Sequence, residues 1–393
     1  MPGSVIVSTA RTPIGKLSGA LSTLSGPELG SLAIKAALER VGIEPSQIDY
    51  VVLGEVYQAG QGQVPARQAS VRAGIPMTVP GITINKACLS GINSIYLADQ
   101  MVQSGDAELV VCGGMESMTN TPFLLPGARQ GYPMGDQTLV DGMLEGLFCA
   151  FDCAPMGTAT DRYAATFGGI TRELQDEFAA QSHERAANAT KEGRLTEEIA
   201  PVAIPQRKGE PVIVDTDEGI RPGTTTETLG RLRAAFEANG TVTAGNASQI
   251  SDGAAALVVT SVEKCEELGL TPLAELVSFG MVAGPDPSLL TQPSRAIKRA
   301  LEPIDKTVAG LDLFEINEAF AAVALASMRG LGISDEIVNV NGGAIAFGHP
   351  IGMSGARVVI TLINELRRRG GNLGAAALCG GGGQGDAAIV RAL

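Results

Sequence analysis

The sequence predicts a duplicated, layered α/β fold. Apolar runs of strand length alternate with segments of helical spacing, and the same succession of elements occurs twice along 393 residues. A chain of this length exceeds one ordinary core and divides into two or three domains. Hydrophobic residues make up 45% of it and charged residues 18%, with 50 glycines, so it can bury a large interior and make many tight turns. The same balance excludes a disordered chain.

The duplication begins with two helices, Ala33-Ile34-Lys35-Ala36-Ala37-Leu38-Glu39 and Ala296-Ile297-Lys298-Arg299-Ala300-Leu301-Glu302. Strand-length runs follow in both halves, from Ile48 to Glu55 and from Leu311 to Glu318. A second strand is expected at Ile82-Thr83-Ile84-Asn85, matched by Val338-Asn339-Val340-Asn341. Ser90-Gly91 and Ser354-Gly355 then each open a helix, and Cys112-Gly113-Gly114 and Cys379-Gly380-Gly381 close a third strand. Such alternation implies mostly parallel sheets covered on both faces, one layered unit per half. Residues 119–249 have no counterpart in the second half and read as an inserted loop domain. The core halves are then 1–118 with 250–270, and 271–393. Within the insert a helix is expected from Thr171, as N-cap, to about Thr190. The insert also gathers Arg207, Lys208, Arg221, Arg231 and Arg233, the cations available to an anionic ligand.

Four places carry chemistry. In Ala375-Ala376-Ala377-Leu378-Cys379-Gly380-Gly381-Gly382-Gly383, four glycines follow a strand and are expected to leave the thiol and several N–H groups little shielded. Cys88 falls between a strand and a helix whose apolar positions are Ile92, Ile95, Tyr96 and Val102, so the positive end of that helix should favour its thiolate. The alternative is a small thiol packing the joint. Of the two histidines, His349 stands between Gly348 and Pro350 as an accessible base or a turn residue, while His183 lies in a polar helix and reads as a surface or packing residue. Asn317 ends a strand, placed to hold a water or an oxyanion, or to cap the next helix.

A net charge of −13 argues against nucleic-acid or membrane partners. Residues 1–15 lack the pattern of a signal peptide, and no window is apolar enough to span a membrane, so a cytoplasmic location is expected. The six cysteines, scattered without zinc-ligand spacing, suggest a reducing compartment and no metal; Cys149 and Cys153, four apart, read as ordinary thiols.

In this order the segments resemble the thiolases. The likeness is carried by Asn85-Lys86-Ala87-Cys88-Leu89-Ser90-Gly91, Asn317-Glu318-Ala319-Phe320-Ala321, Asn341-Gly342-Gly343-Ala344-Ile345-Ala346 with Gly348-His349-Pro350, and Cys379-Gly380-Gly381-Gly382, and it covers essentially the whole chain. It implies an α/β/α/β/α core with an inserted loop domain, a homodimer or homotetramer, and coenzyme A and acyl-CoA as substrates with no tightly bound cofactor. By this likeness Cys88 is the nucleophile, His349 its base, and Cys379 the group that deprotonates a second substrate. Oxyanions would be held by His349 with a water on Asn317, and by the N–H groups of Cys88 and Gly381. The resemblance also assigns Arg221, Phe236, Ala244, Gly245 and Ser248 to the nucleotide and pantetheine parts, and Met156, Ala319 and Phe320 to the acyl pocket. Taken alone, Phe236 and Met156 read as core residues rather than ligand contacts.

The implied reaction is condensation of two acetyl-CoA to acetoacetyl-CoA, or its reverse. A thiolase of broader chain length uses the same residues. Many short-chain members carry a histidine before the Met-Gly pair where this chain has Pro155, which leaves the acyl length open. A silent acyl-CoA-binding or scaffold protein is disfavoured by the intact Cys88, His349 and Cys379. A ketoacyl synthase is disfavoured by the second thiol.

Overall fold

A computed structural model describes residues 3–393; Met1 and Pro2, at the start of the expected first half, lie outside the described residues. The main strands are β1 (Ser4–Arg11), β2 (Tyr50–Gly54), β3 (Gly81–Ile84), β4 (Leu109–Ser117), β5 (Ser251–Ser261), β6 (Ala274–Ala283), β7 (Leu313–Ile316), β8 (Leu373–Gly380) and β9 (Gln384–Ala392). They hydrogen-bond in the order β7-β8-β9-β6-β1-β5-β4-β2-β3, with the short strand Gly15–Lys16 paired beside β5.

The duplication is visible in this order. In the first half β2 and β4 pair in parallel, β4 and β5 antiparallel, and β5 and β1 antiparallel. In the second, β7 and β8 pair in parallel, β8 and β9 antiparallel, and β9 and β6 antiparallel. The sheet is therefore mixed, not mostly parallel. Nor are the halves separate, because Ser4–Ile6 of β1 pairs with Ala274–Leu276 of β6. The expected strand at 338–341 is reduced to a single bridge, Phe314 to Val338, because the Asn339 side chain takes over, exchanging hydrogen bonds with the N–H and C=O of Ile316.

The main helices are α1 (Gly26–Val41), α2 (Ser90–Ser104), α3 (Met156–Phe167), α4 (Arg172–Lys191), α5 (Gln292–Leu301), α6 (Ala321–Leu331) and α7 (Ile351–Arg369). The apolar face of α1 covers the first half-sheet from outside and α5 covers the second, while α2 and α7 pack on each other and touch strands of both halves. This gives the layers α/β/α/β/α. The central helix α7 is buried along most of its length, including Arg357, whose charge is met by Glu315 at 3.1 Å. Helix α4 starts after Thr171, whose side chain accepts the Leu174 N–H, as its capping residue type predicts. The intervening segment is tied to the core by Arg11, which pairs with Glu198 at 2.8 Å and Asp217 at 2.7 Å out of contact with solvent.

The layering converges on one point. Helices α2 and α7 cross at glycines: a Cβ on Gly91 would lie 2.7 Å from the Ala356 nitrogen, and one on Gly355 would lie 2.2 Å from that of Ile92. Only bare backbones approach so closely, and the crossing brings the residues just ahead of both helices, Cys88 and His349, to the same region.

Candidate active site

Cys88 sits on a tight turn. Ala87 has φ 49°, uncommon for a residue with a Cβ, and Leu89 and Ser90 donate back to the carbonyls of Lys86 and Ala87. The N–H groups of Cys88 itself and of Gly381, contributed by the other half of the duplication, act on the sulfur to favour its thiolate. Burial nevertheless pushes the thiol up to about 11, those two N–H groups acting downward and the Glu116 charge upward. The expectation that a helix terminus would favour a resting thiolate is therefore wrong; α2 begins two residues later, and desolvation wins.

Cys379 is the last residue but one of β8, whose neighbour β7 runs into Asn317; the Asn317 N–H donates to the Ala377 carbonyl at 2.9 Å. Contrary to the expected exposed thiol, Cys379 is wholly buried, in one apolar cluster with Ala319, Val323 and Leu290. Burial and then the nearby Cys88 sulfur push its thiol well above the ordinary range. The strand end that carries Cys379 meets the Cys88 turn of the other half, where Leu89 packs against Gly380. Gly382 (φ 78°) and Gly383 (φ 68°) make the reversal from β8 to β9.

His349 is buried and held by its surroundings. Its backbone N–H donates to the Gln249 carbonyl at 3.0 Å, its Nδ1 lies 2.5 Å from Ser354 Oγ, and its Nε2 lies 3.4 Å from Asn317 Nδ2. Ser354 Oγ also donates to the Pro350 carbonyl at 3.0 Å. A hydroxyl has one proton, so with that proton on Pro350 the imidazole carries its own on Nδ1 and leaves Nε2 as the acceptor. Burial and the Arg357 charge push the ring down to about 3, so it is neutral at physiological pH. Asn317 does not cap α6, whose N-cap is Phe320, and its buried Oδ1 has no partner among the described residues.

The matches to known proteins agree with this geometry. Residues 4–263 match the model of the thiolase N-terminal domain and residues 270–392 that of the thiolase C-terminal domain. The chain belongs to the thiolase family. It is 55% identical to a probable acetyl-CoA acetyltransferase of Mycolicibacterium smegmatis, over 98% of this chain and 100% of that protein. It is 51% identical to an acetyl-CoA acetyltransferase of Cupriavidus necator, over the full length of both. The crystal structure of the Bacillus anthracis acetyl-CoA acetyltransferase superposes with a TM-score of 0.97 at 40% identity, covering 100% of this chain and 99% of that one.

The remaining residues singled out by the thiolase resemblance form one wall beside this centre. Ser248 donates its N–H to the Ala319 carbonyl at 3.0 Å, and the Asn246 carbonyl accepts from Ala321, so the loop of Ala244, Gly245 and Ser248 is stitched to the segment of Ala319 and Phe320. Phe320 stands edge-on to Phe236 at 6.4 Å between centroids. Phe236 in turn lies where a Cβ on Gly157 would be, 2.2 Å from its ring, so the Met156-Gly157 pair at the start of α3 exists to seat it. Met156, Ala319 and Phe320 share one apolar cluster with Cys379. Arg221 is exposed and bonds Gln249 Oε1 at 3.2 Å; Gln249 also holds His349 and the carbonyls of Ile345 and Ala346. Of the other cations, Arg231 is paired on the surface with Glu227. His183 is buried, not superficial: its Nδ1 accepts the Arg221 N–H at 3.2 Å.

Sequence reasoning missed Ser354 and Gln249, which reveal themselves only through their contacts. It also missed a pair of buried acids. Glu116 accepts from the N–H groups of Val56, Tyr57 and Gly352, whereas Glu55, at the end of β2, has no partner for either oxygen among the described residues. Its counterpart Glu318 is satisfied by Ser182, Asn339 and Ile345. Burial and then the Glu116 charge push Glu55 up to about 9, and burial pushes Glu116 up to about 7. Both values exceed those of the unfolded chain, so the fold takes up protons. The resulting stability is full in mild acid and is lost as pH rises through 7 and then 9. Melting temperature should fall between pH 5 and 9, and Glu55→Gln should flatten the fall and raise it by at least about 2 °C at pH 9. An unchanged slope in thermal denaturation of that variant would contradict the assignment.

Proposed function

We propose that this thiolase is an acetyl-CoA C-acetyltransferase, condensing two acetyl-CoA to acetoacetyl-CoA and free coenzyme A, or running the reverse thiolysis. The observation that carries the reading is the packing of the Cys88 turn on the Cys379 strand end, Leu89 against Gly380 and Ala87 against Gly381, with His349 set beside Asn317 at 3.4 Å. The names of the full-length relatives support the choice of acyl group.

In the first step Cys88 attacks the thioester carbonyl. The resting pair is thiol and imidazole, so the proton passes to His349 Nε2 as the carbon–sulfur bond forms, not before. The oxyanion lies against the N–H groups of Cys88 and Gly381, the bond to coenzyme A breaks, and His349 returns the proton to the leaving thiolate. Next, Cys379 passes its thiol proton to the neutral His349 and, as thiolate, takes a proton from the methyl carbon of a second acetyl-CoA. The enolate oxygen is held by His349 and by a water on Asn317, the carbanion attacks the acyl carbon and expels the Cys88 sulfur, and His349 returns its proton to that sulfur. Met156, Ala319 and Phe320 surround the acyl group, and Arg221, Phe236, Ala244, Gly245 and Ser248 hold the nucleotide and pantetheine. A thioester chain lying along this wall fits the division into core halves 1–118 with 250–270 and 271–393, and a loop domain 119–249.

Comparing thiolysis of acetoacetyl-CoA and 3-ketooctanoyl-CoA tests the reading: the short substrate is expected to have the higher kcat/KM, and a clear preference for the longer one would replace it by a broader-chain thiolase. Arg221→Ala should raise KM for acetyl-CoA about tenfold with kcat nearly unchanged, since it touches ligand remote from the reacting atoms. An unchanged KM in steady-state assays would move the nucleotide site elsewhere.

The same reading includes a homodimer or homotetramer in the cytoplasm, where both thiols stay reduced. Support comes from β3, an edge strand with Ile82 exposed, and from exposed Phe123, Met134, Leu139 and Leu144. Native mass spectrometry should find no appreciable monomer at micromolar concentration; a monomer would reject the assembly. Among the described residues no helix is long and apolar enough to cross a membrane.

A further inference from the structure

Three of the four consecutive glycines have an evident duty. Gly382 and Gly383 adopt positive φ, and Gly381 lends its amide to Cys88. Gly380 has neither task, yet a Cβ built on it would lie 2.5 Å from Leu89 Cγ, 2.8 Å from Cδ1 and 3.3 Å from Cδ2. Carbons in good contact stand about 3.5–4.0 Å apart, so the Leu89 side chain fills the room a side chain at 380 would need. Leu89 is wholly buried and follows Cys88 directly; Gly380 is buried and follows Cys379 directly. On the other side of Cys88, the Ala87 Cβ lies 3.5 Å from where a Cβ on Gly381 would be. Ala87 and Leu89 therefore bracket the nucleophile and rest on consecutive glycines of the opposite half.

We propose that Leu89 is a positioning residue: its side chain, seated in the hollow left by Gly380, sets the approach of the Cys88 turn to the Cys379 strand. The inference rests on the reading of Cys88 as nucleophile and Cys379 as base. Acylation needs the Cys88 turn, His349, one substrate and the Gly381 amide, against which Ala87 still rests when Leu89 is shortened. Carbon–carbon bond formation needs both sulfurs in register around one acyl carbon, and a misplacement of about 1 Å costs on the order of a hundredfold. Loosening the Leu89 contact should therefore slow the second step far more than the first.

The test uses full-length wild type, Leu89→Ala, Gly380→Ala and the double variant, each checked for a cooperative melt. Two rates are read: single-turnover release of coenzyme A on acylation by acetyl-CoA, and kcat for condensation. Leu89→Ala should slow condensation about 30- to 100-fold and acylation less than about threefold. Gly380→Ala should slow both, because its methyl meets Leu89. The double variant should recover condensation to within about fivefold of wild type, since the methyl at 380 then enters space vacated by Leu89. Equal slowing of both steps in Leu89→Ala, or a double variant no faster than the slower single one, would overturn the proposal. Should Leu89→Ala fail to fold, Leu89→Val opens a smaller gap and must show the same split. Failure of the underlying reading is distinguishable, because wild type itself would then not be acylated at Cys88.

Discussion

Cys88→Ala is expected to abolish the acyl-enzyme and to lower turnover by at least about four orders of magnitude, while leaving the fold intact. The turn that presents the sulfur is built from backbone hydrogen bonds at Lys86 and Ala87 and from the αL conformation of Ala87, none of which uses the thiol. An alanine methyl fits wherever the Cβ of cysteine fits. What disappears is the sulfur on which the Cys88 and Gly381 N–H groups act. Because the nucleophile and its base act as one unit, losing it should remove nearly all the chemistry that His349 assists. Incubation with acetyl-CoA labelled in the acetyl group measures this directly. A stable label on the variant, or turnover within about a hundredfold of wild type, would take the nucleophile's role away from Cys88.

Cys379→Ser is expected to separate the two halves of the reaction. Acylation by acetyl-CoA should remain within about threefold of wild type, whereas condensation should fall by about a thousandfold or more, the scale of a positioned acid–base group. Serine is nearly isosteric, so the apolar cluster of Ala319, Val323 and Leu290 should close around it without a cavity. A hydroxyl is, however, a far weaker acid than a thiol, and its conjugate base is not accessible in a buried site. Rapid-quench measurement of coenzyme A release set beside steady-state acetoacetyl-CoA formation reads both rates. Normal condensation in this variant would defeat the division of labour between the sulfurs; a parallel loss of both rates would do the same.

Much of the site was legible because the duplication repeats its own punctuation. Asn317 and Cys379 lie at strand ends and Ser90 opens α2 as expected, whereas β4 runs on past Cys112 to Ser117 and α7 starts at Ile351, ahead of Ser354, so the repeat marks the order of the elements better than their bounds. Sheet direction was less legible. An apolar run identifies a strand but not its sense, and β5 is separated from β4 by the whole inserted segment. For β8 and β9 the signal was present: two apolar runs joined by three glycines form a tight reversal and must pair antiparallel. The strand expected at 338–341 failed because Asn339 satisfies the Ile316 backbone with its side chain, a choice that patterning cannot see. Ionisation was the least legible property. Local sequence put Cys88 near a helix start, but its ionisation is decided by burial under residues distant in the chain, Tyr57, Met118 and Ile351. The fit of Leu89 to Gly380 is invisible for the same reason, since the two lie in different halves.

The central claim is that sulfurs from both halves serve one acyl carbon, with Cys88 alone carrying the covalent intermediate. Intact-protein mass spectrometry of wild type quenched in acid after mixing with acetyl-CoA, followed by peptide mapping, tests it most directly. The account predicts a mass increase of one acetyl group per chain, confined to the peptide that contains Cys88. An acetyl group found on Cys379, or no adduct at all while the protein is turning over, would contradict it.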